Sequence, residues 1–165
     1  MTEKKEYWDI TDDDGLWAQL YFPKIPNANP LREMGNRLEV ATEIGLIKAG
    51  IEYEDTTRVS QRGHVPDFRT ETMTIECKNT LGAINGENYK IDANKYIYEI
   101  LSRFETAGDT YKMLIMPEGT AWNWHPLYMA RQEGIIIIYV TPVRFDTDVI
   151  PAANQIAAAL SSYVV

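Results

Sequence analysis

The chain is organised around VPDFRTETMTIECK, residues 65–78. Its polar centre, Thr70-Glu71-Thr72, predicts a turn between two strand-like pieces. In a strand, alternate side chains share one face, so Glu76 and Lys78 point the same way while the apolar residues beside Glu76 point into the core. A neighbouring strand then brings Asp67 beside Glu76. The stretch therefore predicts two acidic groups and one lysine on a single patch of a β-sheet.

Periodic apolar residues predict further helices and strands on both sides of this stretch. Before it, Pro30 supplies a helix-start residue, and apolar residues recur at helical spacing until Gly50, which predicts a long first helix. A strand follows at 51–59, so that three strands form a meander. The elements predicted after it are a helix from about residue 91 to near Gly108, a short buried strand at 112–116, a helix at 126–132, a strand at 135–140 covered on both faces, and a closing helix at 148–163.

This alternation of helices and strands is typical of an α/β fold with a central mixed β-sheet flanked by α-helices. With 165 residues and 45% hydrophobic content, the chain has the size of one globular domain. We expect an N-terminal extension at residues 1–29, a core at 30–116 and a C-terminal βα addition at 117–165.

The composition excludes several classes of protein. The longest apolar run, Ile135 to Val140, is far shorter than a membrane-spanning helix, and the polar start of the chain lacks the apolar stretch of a signal peptide. We therefore expect a soluble cytoplasmic protein with no membrane partner. One cysteine and two histidines exclude an internal disulfide and a zinc cluster, but they leave room for a hard metal held by carboxylates. Gly82 and Gly86 lack the Lys-Ser or Lys-Thr ending of a phosphate loop, so no nucleotide cofactor is expected.

The charge of the chain is unusual for a protein that binds phosphate chains, because such proteins commonly have a basic surface. The net charge is −8. Much of the excess acid lies within the first 14 residues, and the charges of residues 58–112 balance one another. If several acids of that segment bind metal, the remainder of the segment is locally basic.

Two adjacent carboxylates and a lysine suit the hydrolysis of a phosphodiester bond. With water and a phosphate oxygen, Asp67 and Glu76 can hold Mg²⁺ in the octahedral arrangement that it demands. The ion offsets charge on the phosphate and lowers the pKa of a bound water. Lys78 beside them can orient or deprotonate that water and neutralise charge on the phosphoryl oxygens. The alternative is a salt-bridge ladder on the surface of a strand.

The same residues resemble the PD-(D/E)XK nuclease superfamily in two motifs, Val65-Pro66-Asp67-Phe68 and Ile75-Glu76-Cys77-Lys78, including the proline before the first acid. The preceding helix carries Gly35-Asn36-Arg37-Leu38-Glu39, which is similar to the Gly-x-x-x-Glu element of archaeal Holliday-junction resolvases and related nucleases. The resemblance covers residues 31–116 and implies a restriction-endonuclease-like core. It implies four catalytic residues, Glu39, Asp67, Glu76 and Lys78. It also implies that the three acids among them bind Mg²⁺, for which Mn²⁺ can substitute.

Further candidates surround this set. Arg62, His64 and Lys95 are predicted to contact the substrate. The resemblance implies a supporting polar residue at the position of Lys95, whereas His64 lies in a turn and either contacts a phosphate or caps that loop. Glu43 lies four residues after Glu39 on nearly the same helical face, so either residue is the acid of the first helix.

The expected function is a Mg²⁺-dependent endodeoxyribonuclease, either structure-specific in the manner of a junction resolvase or of the restriction type. The resemblance implies DNA as the partner, and a homodimer is expected because duplexes and four-way junctions both present two strands to cut. The alternative is a non-catalytic nucleic-acid-binding or protein-interaction domain on a nuclease scaffold. Trp122 and Trp124 either stack on unpaired bases or pack in the core or a subunit interface.

Overall fold

The computed structural model of the chain describes residues 30–55, 66–80 and 96–164. Its first part contains α1 (Pro30–Lys48) and β1 (Glu54–Asp55), and its second part contains β2 (Phe68–Arg69) and β3 (Met73–Cys77). The elements of the third part are α2 (Tyr96–Arg103), β4 (Tyr111–Pro117), α3 (Trp124–Gln132), β5 (Ile135–Val140) and α4 (Val149–Leu160), with single 3₁₀ turns at Asp146–Asp148 and Ser161–Tyr163.

The five strands of the described residues form one mixed sheet in the order β1-β2-β3-β4-β5. Strand β2 is antiparallel to both of its neighbours, β1 and β3, and Phe68 of β2 lies opposite Ile75 of β3. The last three strands are parallel, and Glu76 of β3 lies beside Leu114 of β4. The structure thus confirms the predicted α/β class, the mixed sheet and the meander of three strands.

The core lies on both faces of this sheet because alternate residues of the buried strands point in opposite directions. On one face, Ile75 and Cys77 of β3 join Ile115 of β4 in a cluster that is covered by α1 and α4. On the other face, Leu114 and Met116 of β4 join residues of α2 and α3. The sheet is therefore the middle layer between two layers of helices.

Most predicted elements agree with the structure to within a few residues. The first helix ends at Lys48, and Gly50 follows with a positive φ of 71°. Residues 56–59 of the predicted first strand and residues 91–95 of the predicted second helix lie outside the described residues. None of the described helices has the length and apolarity needed to cross a bilayer.

The prediction that the strand at 135–140 is covered on both faces is wrong in part. β5 pairs with β4 and lies at one edge of the described sheet. Ile136 and Ile138 pack against the cluster beneath α1 and α4, and Ile137 packs against the other cluster, but all three are only partly buried. Tyr139 is exposed. The apolar run signalled burial correctly for a strand that contacts both layers, but periodicity does not reveal an edge position.

Helices α1 and α4 pack closely against each other at Gly45. A Cβ at Gly45 would lie 2.9 Å from the backbone oxygen of Ala153 and 2.9 Å from Cγ2 of Ile156. Gly45→Ala gains helix propensity of about 1 kcal/mol, but overpacking against a backbone atom typically costs about 1–3 kcal/mol. We expect a net loss of stability, measured by urea unfolding. A variant as stable as the wild type would show that the two helices separate without cost.

Candidate functional site

Two buried carboxyl groups lie side by side. One is that of Asp67, the residue before β2, and the other is that of Glu76 on the neighbouring strand β3. The antiparallel register continues past Phe68, because the Asp67 N–H donates to the Ile75 carbonyl at 3.0 Å. The backbone N–H of Cys77 donates to Oδ2 of Asp67 at 2.8 Å, which fixes that carboxylate against β3. Asp67 is 1% exposed and Glu76 is 2% exposed, and their side chains are hydrogen-bonded to each other. Strand pairing therefore places two acidic side chains next to each other in the buried interior.

The pKa of Glu76 is raised from an ordinary 4.5 to about 9. Burial is the largest cause, and the negative charge of Asp67 is the next. The nearby cations Lys78 and Arg103 act in the opposite direction and do not overcome these effects. At neutral pH Glu76 therefore keeps its proton.

Two cations and a third carboxylate complete the cluster on the same face of the sheet. Nζ of Lys78 lies 3.6 Å from Oε2 of Glu76 and forms a close ion pair with Glu99 of α2. One helical turn later, Nε of Arg103 lies 3.5 Å from the same oxygen of Glu76, and its Nη2 lies 3.9 Å from Glu99. We call these five residues the charged cluster. Its members are Asp67, Glu76, Lys78, Glu99 and Arg103.

The structure brings together three of the four residues predicted as catalytic, namely Asp67, Glu76 and Lys78. The ion pair of the alternative, a surface salt-bridge ladder, is present between Lys78 and Glu76, but it does not lie on the surface, because Glu76 is buried and Lys78 is mostly covered. Strand alternation explains the outcome, since Glu76 and Lys78 share the face of the sheet that α2 covers.

The fourth predicted catalytic residue, Glu39, lies near Cys77. It lies on α1, partly buried, and its negative charge raises the pKa of the Cys77 thiol on the α1 side of β3. Among the described residues, no three acidic, histidine or cysteine side chains are grouped closely enough to hold one metal ion. Of the two candidate helix acids, Glu39 has this interaction with β3, whereas Glu43 is partly buried on the same helix. Arg62, His64 and Lys95 lie outside the described residues.

Sequence reasoning missed Glu99 and Arg103. An acid and a base four residues apart on a helix are typical of a pair on the solvent face. In α2, however, they flank the buried residues Ile100 and Phe104, and the helix crosses the sheet directly above Glu76. The position of Arg103 next to the apolar stripe was a signal for its partial burial, whereas Glu99 is exposed. Which residue of the sheet they meet depends on the packing angle of the helix, and that angle cannot be deduced from periodicity.

Cys77 points away from the charged cluster, as strand alternation predicts. Its thiol is buried in the core and lies 3.2 Å from Oγ1 of Thr42 on α1. Burial and the charge of Asp67 raise the pKa of the thiol well above its ordinary value. A thiol in this state is a poor nucleophile.

We therefore expect the single thiol to be protected in the native protein. Reaction with an aromatic disulfide reagent should be on the order of a hundredfold slower in native than in unfolded protein. The rate is measured by absorbance with and without denaturant. Rapid labelling of the native protein would mean that β3 or α1 opens easily.

The two neighbouring tryptophans have different environments. Trp122 is partly buried and packs against the cluster beneath α2 and α3. Trp124 begins α3, is 77% exposed, and meets the ring of His125 edge-on at 5.4 Å. One tryptophan thus follows the core alternative, and the other lies on the surface.

Comparison of the chain with protein-family models, with curated proteins and with solved structures gives no match. The chemistry of the charged cluster itself is therefore the basis for a function.

Proposed function

We propose that the chain is a metal-dependent endonuclease that hydrolyses DNA phosphodiester bonds at Asp67, Glu76 and Lys78. The observation that carries the proposal is the pair of buried carboxyl groups on neighbouring strands with an ammonium 3.6 Å from one of them. Burying two carboxyl groups together is unfavourable unless partners compensate for them. Carboxyl groups with strongly shifted pKa values cluster at functional sites.

Asp67 and Glu76 fit a divalent ion in their chemistry. Both offer carboxylate oxygens, the ligands that Mg²⁺ and Mn²⁺ prefer. Burial and then the negative charge of Asp67 raise the pKa of Glu76, and a cation held by these two residues would offset that charge and lower this pKa. When bound, such an ion supplies neutralisation of phosphate charge and lowers the pKa of a bound water. We propose Glu39 as the outer ligand or water-holding acid from the α1 side.

Lys78 acts next to these ligands as the group that stabilises charge. Its ammonium lies between Glu76 and Glu99 and is largely covered by protein, so its direction is fixed before substrate arrives. A fixed cation in a site with little water stabilises the charge that develops on the phosphoryl oxygens more strongly than a mobile one. The same ammonium orients or deprotonates the attacking water.

The order of elements supports a restriction-endonuclease-like core. Helix α1 precedes the antiparallel strands β1, β2 and β3, and helix α2 leads into the parallel strand β4. DNA as the substrate follows from the resemblance of the two acid motifs, with a junction or a recognition sequence as its target. A cytoplasmic homodimer that cuts both strands of its substrate completes the proposal.

The decisive experiment is an assay on supercoiled plasmid, single-stranded DNA and a four-way junction, with Mg²⁺, Mn²⁺ or EDTA. We expect cleavage that requires the metal and that falls about 10³-fold or more in Glu76→Ala and Lys78→Met. Lys112→Met is the matched control, because Lys112 on β4 contacts Glu133 instead of the charged cluster.

Three other outcomes would remove the assignment. Cleavage that survives both substitutions would show that another site or a contaminant cuts the DNA. Binding that ignores divalent metal, without cleavage of any substrate, would favour a non-catalytic nucleic-acid-binding domain. No salt-sensitive DNA binding would favour a protein-interaction domain.

A further inference from the structure

Arg103 stands beside the carboxylate that is proposed to bind metal, on an element that the acid motifs do not include. Its Nε lies 3.5 Å from Oε2 of Glu76, and its side chain is 15% exposed, the same fraction as that of Lys78. The two cations thus approach the same oxygen of Glu76, one from β3 and one from α2. Helix α2 therefore lines the proposed site.

The ion pairs of Arg103 with Glu76 and Glu99 are longer than a tight arginine–carboxylate pair. A bidentate arginine–carboxylate pair has nitrogen–oxygen distances of about 2.7–2.9 Å, whereas Arg103 lies 3.5 Å from Glu76 and 3.9 Å from Glu99. Arg103 therefore acts on Glu76 mainly through its charge. The planar guanidinium is also the side chain best suited to bind two oxygens of one phosphate.

Counted as formal charges, the cluster gains a net positive charge when a divalent ion binds. Three carboxylates and two cations leave the ionised cluster with one excess negative charge. A divalent ion would make it one charge positive, and one phosphodiester would then make it neutral. Without Arg103, the metal-loaded cluster would carry no positive charge to attract the phosphate. This balance depends on Glu99 as well, since Glu99 forms an ion pair with Lys78 and lies near Arg103.

We propose that Arg103 binds the phosphate that is cleaved, as a second cation opposite Lys78, and that Glu99 is a positioning residue that holds both cations over Glu76. This inference rests on the proposed nuclease function and adds α2 to its active site. It assigns Arg103 a contact with substrate and Glu99 an action through its two partners.

The test compares Arg103→Met and Arg103→Lys with the wild type. The substrates are two oligonucleotides, one with an ordinary phosphate and one with an uncharged methylphosphonate at the mapped position of cleavage. Arg131→Met is the matched control, because Arg131 is an exposed arginine on the neighbouring helix α3. Mn²⁺ affinity is measured by titration calorimetry, and folding is measured by thermal melting.

We expect Arg103→Met to lower kcat about 10²-fold on the ordinary phosphate and only about threefold on the methylphosphonate. Arg103→Lys should recover part of the loss, because it restores charge without the fork. Mn²⁺ should bind Arg103→Met at least as tightly as the wild type, since a positive charge near a ligand is removed. Glu99→Gln should lower kcat by a smaller factor without weakening Mn²⁺ binding.

Three results would overturn the inference while leaving the nuclease assignment intact. The first is a kcat for Arg103→Met within about twofold of the wild type. The second is an equal loss on the charged and uncharged substrates, and the third is a loss of Mn²⁺ binding; either of these would give Arg103 a structural role. Failure of the nuclease assignment is recognised separately, by the absence of metal-dependent cleavage in the wild type.

Discussion

Glu76→Gln should inactivate the protein and stabilise its metal-free fold in the same substitution. The activity is lost because an amide is a weak ligand for a hard cation and carries no charge. We expect cleavage to fall about 10³-fold or more, measured as the rate of plasmid nicking in Mg²⁺. The gain in stability arises because the wild-type fold must keep a carboxyl group buried beside Asp67.

The pH dependence of this gain follows from the raised pKa of Glu76. In the folded protein this pKa is about 9, against an ordinary 4.5. The contribution of the protonated Glu76 to the free energy of unfolding is therefore fully present below pH 4.5, and it is lost as the pH rises towards 9. Glutamine does not titrate, so the variant should exceed the wild type by on the order of several kcal/mol near pH 9 and by little at pH 5.

The measurement is urea unfolding of both proteins in EDTA at several pH values. Glu133→Gln serves as the control, because Glu133 is exposed at the end of α3 and should change neither property. A stability difference that stays constant from pH 5 to 9 would show that Glu76 is ionised in the fold. Retained cleavage by Glu76→Gln would remove Glu76 from the metal site.

Asp67 should prove more damaging to replace with alanine than with asparagine, although both variants lose activity. Its Oδ2 accepts the N–H of Cys77, and asparagine keeps an oxygen for that hydrogen bond. Alanine leaves a buried N–H without this acceptor, at a typical cost of about 1–3 kcal/mol. We therefore expect Asp67→Asn to fold with nearly wild-type stability and Asp67→Ala to be clearly weakened, with cleavage reduced about 10³-fold or more in each.

Amide hydrogen exchange distinguishes the two roles of Asp67. The Cys77 amide should remain protected in Asp67→Asn and exchange much faster in Asp67→Ala. Unfolding in urea gives the matching free energies. Cleavage activity in Asp67→Asn would mean that Asp67 has a structural role alone. Equal protection of the Cys77 amide in both variants would contradict the hydrogen bond from that amide to the side chain of Asp67.

The arrangement of Asp67, Glu76 and Lys78 could be predicted from the sequence because it depends only on residues that are close to one another in the chain. Alternation along β3 places two of these residues on one face, and a three-residue turn fixes the register with β2. The helices were predicted for a similar reason, since an apolar stripe is a property of a short window. Local patterns thus account for most of the elements and for the centre of the site.

The remainder of the site depends on contacts between distant parts of the chain. Glu99 and Arg103 reach Glu76 only because α2 crosses β3 at a particular angle, and that angle is set by side-chain packing throughout the core. The edge position of β5 is also a property of the assembled sheet. The pKa of Glu76 has the same origin, because its burial is created by three elements together.

The close packing of α1 against α4 has a consequence for the folding of the chain during its synthesis on the ribosome. Residues of α4, among them Ala153 and Ile156, complete the cluster that begins with Leu38 of α1. A hundred residues separate the two helices, so the nascent chain leaves one side of its interior uncovered until α4 has been synthesised. Until α4 emerges, the apolar surface of α1 and of the sheet is open to chaperones and to neighbouring nascent chains.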